Sequence, residues 1–245
     1  MSTIFFLFVI FLLPIFPATL VINKYLYRLD AKFFTISLFL LFSFGILMLH
    51  FFQYHLSPIK YLALFTTIFY SIRLLGVTNL KLFILYLYSI ISSFTILLYI
   101  SGEAEFSLYF IELPFLLMLL LLYYFLSARI NIIHPKSISG IGEVAPKFSI
   151  FFIITLLGIN STLFIIMYKM FKNGLTGPNL LLYGIVFIVS FLLINWGTIK
   201  LFEWLIYGKK TKILNDLAPL DTSTFSLLLI AAIISEVYTA SRSLF

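Results

Sequence analysis

Apolar residues come in long runs that no charge interrupts for many positions, and short polar stretches part them. The runs cover residues 3–22, 33–52, 61–77, 82–100, 106–126, 148–167, 180–207 and 225–240. Roughly 20 apolar residues cross a hydrocarbon core as an α-helix, so the pattern predicts about eight spans. The third and fourth runs have almost no linker between them. The first run lacks the basic start and small-residue cleavage site of a leader, and Pro14 and Pro17 interrupt it, so it is read as a helix.

Composition sharpens this reading. Of the 245 residues, 62% are hydrophobic and 10% charged, with a mean hydropathy of +1.15. A soluble fold cannot hide that much apolar surface. Closed β-barrels also satisfy their backbone in lipid, but their strands alternate in polarity, whereas these runs do not. The expectation is an all-α, polytopic membrane bundle, with room for one broken helix, forming a single transmembrane domain over residues 1–245. There is no cysteine, which excludes disulfides, thiolate-held iron–sulfur clusters and Cys-based zinc sites.

The net charge of +7 is scattered through the loops, which points to topology rather than to nucleic acid. With eight spans, Lys24, Arg28, Lys32, Lys81, Arg129, Lys136, Lys147, Lys209, Lys210 and Lys212 share one side. Lys60, Lys169, Lys172 and Arg242 share the other, beside Glu103 and Glu105. Cytoplasmic loops are enriched in Lys and Arg. The expected placement is therefore multi-pass in the cytoplasmic membrane with both termini outside.

Ionisable residues within spans are costly and serve as candidate functional groups. Here they are Arg73, Glu112, Lys200, Glu203 and Glu236, with Lys169 just past a helix end. Glu112 is expected about two turns inside its helix, and Pro114 would open the backbone beside it. Such a site can hold an ion, or the carboxyl can bond a neighbouring helix as structural glue. Lys200 and Glu203 share a helix face. They read either as a buried pair or, beside Trp196 and Trp204, as anchors that snorkel to the headgroups. Arg73 and Glu236 read as boundary residues. His50, His55 and His134 lack metal-ligand spacing. The G-x-G at Gly140 to Gly142 has no strand before it and reads as a loop. No hydrolase, Walker or zincin motif is found, so no catalytic residue, cofactor or metal is expected.

The order of these features resembles the antiporter-like, proton-translocating membrane subunits of respiratory complex I, multisubunit sodium/proton antiporters and membrane-bound hydrogenases. Asn79-Leu80-Lys81-Leu82 with Tyr86 resembles the family's Asp-x-Lys-Arg and following Ala-Tyr-Ser-Ser helix. Phe110-Ile111-Glu112 through Arg129 is similar to the next helix, with Glu112 where the family commonly has histidine. The stretch from Ile138 to Pro146 resembles its glycine-pair loop. Leu156-Leu157-Gly158-Ile159 stands at its Gly-Leu-Pro break, with Lys169 as the following functional cation. Trp196 to Gly208, including Lys200, and the stretch from Leu217 to Asp221 resemble its closing elements. The resemblance covers residues 60–245, the C-terminal half of a family member. An early Glu helix, the Lys helix after it and the prolines of a later helix break have no counterpart.

What the resemblance implies is a membrane subunit of a multi-subunit complex that moves protons or sodium ions, contributing a reduced proton path or a structural role. Lys81, Glu112, Lys169, Lys200 and Glu203 would be the path residues, and other membrane subunits and the lipid bilayer the partners. The competing readings, in order, are a stand-alone transporter or permease and a membrane-embedded enzyme acting on lipid.

Overall fold

The computed structural model describes residues 9–51, 59–77, 79–100, 111–129, 140–170, 180–207 and 216–244; the side chains of residues 50, 51, 129, 180–182, 205, 207, 219, 220 and 242–244 lie outside that description. Among the described residues there is no strand, and each of the eight predicted apolar runs carries a helix. The helices are α1 Ala18–Arg28, α2 Ala31–Phe51, α3 Lys60–Leu75, α4 Leu80–Ile100, α5 Glu112–Arg129, α6 Ile141–Val144, α7 Pro146–Lys169, α8 Leu180–Tyr207 and α9 Pro219–Leu244. Five segments are long and apolar enough to cross a membrane: Ala31–Leu49, Leu80–Ile100, Pro146–Lys169, Tyr183–Trp204 and Asp221–Ser241. Glu112–Ala128 is a shorter apolar helix. The molecule is an all-α membrane helical bundle.

The helix ends follow local chemistry. Asn79 accepts the Lys81 backbone N–H at 2.8 Å through Oδ1, an N-cap that starts α4 two residues before its apolar run. Pro146 occupies the first turn of α7, where its missing N–H costs nothing. Asp216 supplies the donors' partner there, accepting from the N–H of Lys147 and of Phe148 at 3.2 Å each. Gly140 has φ of 75°, a conformation open to glycine, and its N–H bonds the Trp204 carbonyl at 3.3 Å. The Gly140 to Gly142 stretch, expected to be a loop, instead leads into the single helical turn α6, because this long-range bond holds its start against α8.

The first apolar run breaks at its prolines. Helical turns resume at Ala18 after an interruption around Pro14 and Pro17. In an unbroken helix the Phe16 N–H would bond the Leu12 carbonyl. Here the Phe16 N–H donates to Thr66 Oγ1 at 2.8 Å, and the Leu12 carbonyl accepts from the Tyr88 hydroxyl at 2.6 Å. Side chains of α3 and α4 thus satisfy both halves of the lost bond, which is what makes the break tolerable in an apolar medium.

Helix α4 is the hub. It packs most extensively on α3 and also meets α1, α2 and α7, while α8 lies across α3 and α7, and α9 rests on α5 and α7. Glycines permit close approaches between helices. A Cβ at Gly158 of α7 would overlap the Phe115 ring of α5, and one at Gly197 of α8 would lie 3.1 Å from Leu74 of α3. Aromatic pairs lock the same register, including Phe94 on Phe187 at 5.3 Å and Phe125 on Phe148 at 5.9 Å.

Candidate functional site

Glu112 is 1% exposed, and its Oε1 has no hydrogen-bond partner. An unmade hydrogen bond at a buried polar atom is expensive, so a carboxylate left this way needs an explanation. Its setting differs from the expectation. Ile111 is non-helical and α5 begins at Glu112 itself, so the carboxyl does not lie two turns deep. Pro114 falls in the first helical turn, where the backbone N–H has no intrahelical partner in any case. It therefore starts the helix rather than opening it. The N-terminal end of α5 carries partial positive charge and favours an acidic group there.

The antiparallel packing of α5 and α7 brings Phe125 to Phe148 and Phe115 to Gly158. Continuing that register puts Asn160 and Ser161 at the depth of Glu112. Asn160 Nδ2 donates to Asn195 Oδ1 at 3.3 Å and to Thr198 Oγ1 at 3.2 Å, and its own Oδ1 is buried without a partner. The Ser161 hydroxyl faces the Glu236 carboxyl from α9. One level of the bundle thus carries polar groups from α5, α7, α8 and α9.

Lys81 is elsewhere. Its Nζ donates to the Tyr27 carbonyl at 2.8 Å and to the Leu29 carbonyl, and it sits 5.0 Å from the Phe34 ring centroid. Phe34 in turn meets Tyr123 at 5.3 Å. Tyr123 is eleven residues from Glu112 along α5, about 16 Å at a helical rise of 1.5 Å per residue. Lys81 and Glu112 are therefore near opposite ends of α5. The bonds of Lys81 cap the carbonyl end of α1, which the helix dipole also favours.

Lys200 plays the same part for α3. Its Nζ donates to the Leu75 carbonyl at 3.0 Å and lies 5.7 Å from the Trp204 ring centroid. Glu203 is exposed, so the two residues do not form a buried pair. Burial of both charges together would demand full compensation from each other, and the Leu75 carbonyl already takes up the cation. Lys169 is buried as the last residue of α7. Arg73 is exposed at the end of α3, 4.7 Å from the Phe69 ring centroid. His55 and His134, and the side chain of His50, lie outside the described residues.

The structure adds a cluster that charge-based reading passes over. Asn23 Nδ2 donates to Ser89 Oγ at 2.9 Å, and the Tyr70 hydroxyl faces Thr19 and Asn23. Thr19 Oγ1, Asn23 Oδ1 and the Tyr70 hydroxyl all stay without hydrogen-bond geometry. Thr19 is 0%, Asn23 7% and Tyr70 1% exposed. Tyr88 and Ser92, at seven and eleven residues beyond Lys81, lie on the same face of α4, and Ser89 flanks them. A polar seam thus runs from Lys81 up the buried hub helix to the broken first run. The signal available beforehand was amides and hydroxyls within or beside apolar stretches, Asn23 and Asn160 above all.

No family model and no curated protein matches the chain. Solved structures do. A chain of respiratory complex I from Thermus thermophilus with bound NADH superposes with a TM-score of 0.73 over 99% of this chain, at 14% identity. A chain of respiratory complex I from Thermus thermophilus with bound aureothin gives 0.60 over 77%, at 11% identity. This chain spans 58% of the length of the first and 44% of the second. At these identities the likeness is one of fold: the bundle has the fold of a portion of a respiratory complex I chain.

Proposed function

We propose that the protein is a membrane subunit of a multi-subunit complex that translocates protons or sodium ions, with both termini outside. Nearly the whole chain superposes on one chain of such an assembly, and this observation carries the reading. Of the candidate path residues, Lys81 and Lys200 hold helix ends. Glu112 is the buried acid with an unmade bond. It is accordingly the group assigned to ion handling, alternating between a protonated state and a charged one steadied by the end of α5. Because Lys81 meets the Phe34 that packs on Tyr123, about 16 Å along α5 from Glu112, transfer between Lys81 and Glu112 needs intermediate polar groups.

Two measurements test this. Purification in mild detergent should bring other membrane subunits with the chain; a chain that is stable and transports alone would favour the permease reading. Glu112→Gln keeps size and hydrogen bonding but removes the charge change. It should leave assembly intact and cut coupled ion movement at least tenfold in reconstituted vesicles. Wild-type transport in an assembled Glu112→Gln complex would make Glu112 structural.

A further inference from the structure

The broken first run and α2 form a hairpin. Its arms join at the turn of Leu29 and Asp30 and touch again where Leu13 packs within 2.5 Å of the position a Gly45 Cβ would take. Along its flank runs an open groove of about 590 Å³, lined among others by Phe11, Val21, Tyr25, Ser37, Leu40 and Phe44. That volume is in the roughly 300–1,000 Å³ range of ligand clefts. Its walls are apolar apart from Ser37 and the tip of Tyr25.

The groove's two walls both lead to cations. Val21, Tyr25 and Arg28 follow one another at helical spacing on α1, Leu40 and Phe44 do so on α2, and Lys32 stands in the first turn of α2. Lys24, Arg28 and Lys32 are exposed around the turn, with Asp30 as the single acid among them. Among the described residues none of these three cations makes an ion pair or hydrogen bond, unlike neighbouring Lys81, whose Nζ is taken up by backbone carbonyls. Ala31–Leu49 of α2 is long and apolar enough to cross a membrane, and charges at the end of such a helix stand at headgroup depth.

We propose that this groove binds one anionic phospholipid, an acyl chain lying against Val21, Tyr25, Leu40 and Phe44 and the phosphate held by Arg28 and Lys32, with Lys24 beside it. An apolar partner helix would cover the walls but leave the cations uncompensated. A phospholipid supplies both chemistries, and guanidinium suits phosphate through paired N–H donors. The site stands whether or not the chain conducts ions.

Native mass spectrometry of the purified assembly, titrated with phosphatidylglycerol and with phosphatidylcholine of identical acyl chains, tests it. Wild type should retain phosphatidylglycerol preferentially. Arg28→Gln with Lys32→Gln should weaken retention about twenty-fivefold, a factor of roughly five for each cation. Leu40→Trp, which fills the groove without touching the charges, should remove the adduct and serves if the double variant fails to assemble. Equal retention of both lipids, or phosphatidylglycerol kept by these variants, would overturn the proposal. So would a photo-crosslinker at Val21 that captures a protein helix instead of lipid.

Discussion

Helices α4 and α9 are both apolar enough to span a bilayer, yet 83% of the first and 17% of the second is buried within the bundle. Apolarity cannot have sorted them, since lipid tails are as apolar as a helix partner. Hydroxyls alone did not either. Both helices carry Ser and Thr that bond their own preceding turn, such as Ser93 to Ser89 and Thr239 to Ser235. Both also reach across to neighbours, Phe225 of α9 meeting Phe151 at 5.8 Å; what sets α4 apart is that it does so toward several elements at once, since Ser89 receives Asn23, Tyr88 reaches Leu12, and Phe94 stacks on Phe187. Helix α9 presents Leu227, Ile230, Ile234 and Val237 outward. A span becomes central here by the contacts it completes, not by its hydropathy.

The largest test of that contrast is truncation on each helix. Phe94→Ala should cost about 3–5 kcal/mol in unfolding measured in detergent, and Leu227→Ala, 70% exposed, within about 0.5 kcal/mol. Equal losses would mean that α4 is not the hub. Between these helices, Gly158→Leu should destabilise by about 1–3 kcal/mol, because Phe115 occupies the space its side chain needs. Gly76→Ala, whose Cβ would meet only the Arg73 carbonyl at 3.9 Å, should be close to neutral in the same assay. The smallest effect concerns the broken run. Tyr88→Phe strands the Leu12 carbonyl and should cost about 1–2 kcal/mol, and Thr66→Val should do the same through the Phe16 N–H. Ser235→Ala on α9 should cost less than either. If Tyr88→Phe and Ser235→Ala match, the side-chain bonds at the break contribute nothing.

Helix positions were largely legible in advance, and where they were not the cause is local. The run at 180–207 is helix α8 to the residue, and 148–167 becomes Pro146–Lys169. The last run, read from residue 225, begins at Pro219, since proline suits a first turn and hydropathy registers only the apolar part. The candidate site was legible by type but not by place. Glu112 stands out as an acid in an apolar run, yet its position at the start of α5 depends on where the helix begins. Lys81 and Lys200 were conspicuous as charges, but nothing near them in the chain reveals that each caps a different helix. The seam of Thr19, Asn23, Tyr70 and Ser89 carries no charge and joins three helices.

By itself the sequence determined that the chain is a helical membrane bundle and roughly where its helices run. Apolar length and backbone self-satisfaction are properties of each segment alone, and lipid allows little else. Only the tertiary structure decided which helix is the hub and which oxygens go unpaired. It also brought Asp216 to the start of α7, 69 residues from Lys147, and the Tyr88 hydroxyl to Leu12, 76 residues away. A hydrogen bond reaches about 3 Å, so partners that far apart in the chain are set by the register of packed helices, which the order of residues along one helix does not contain.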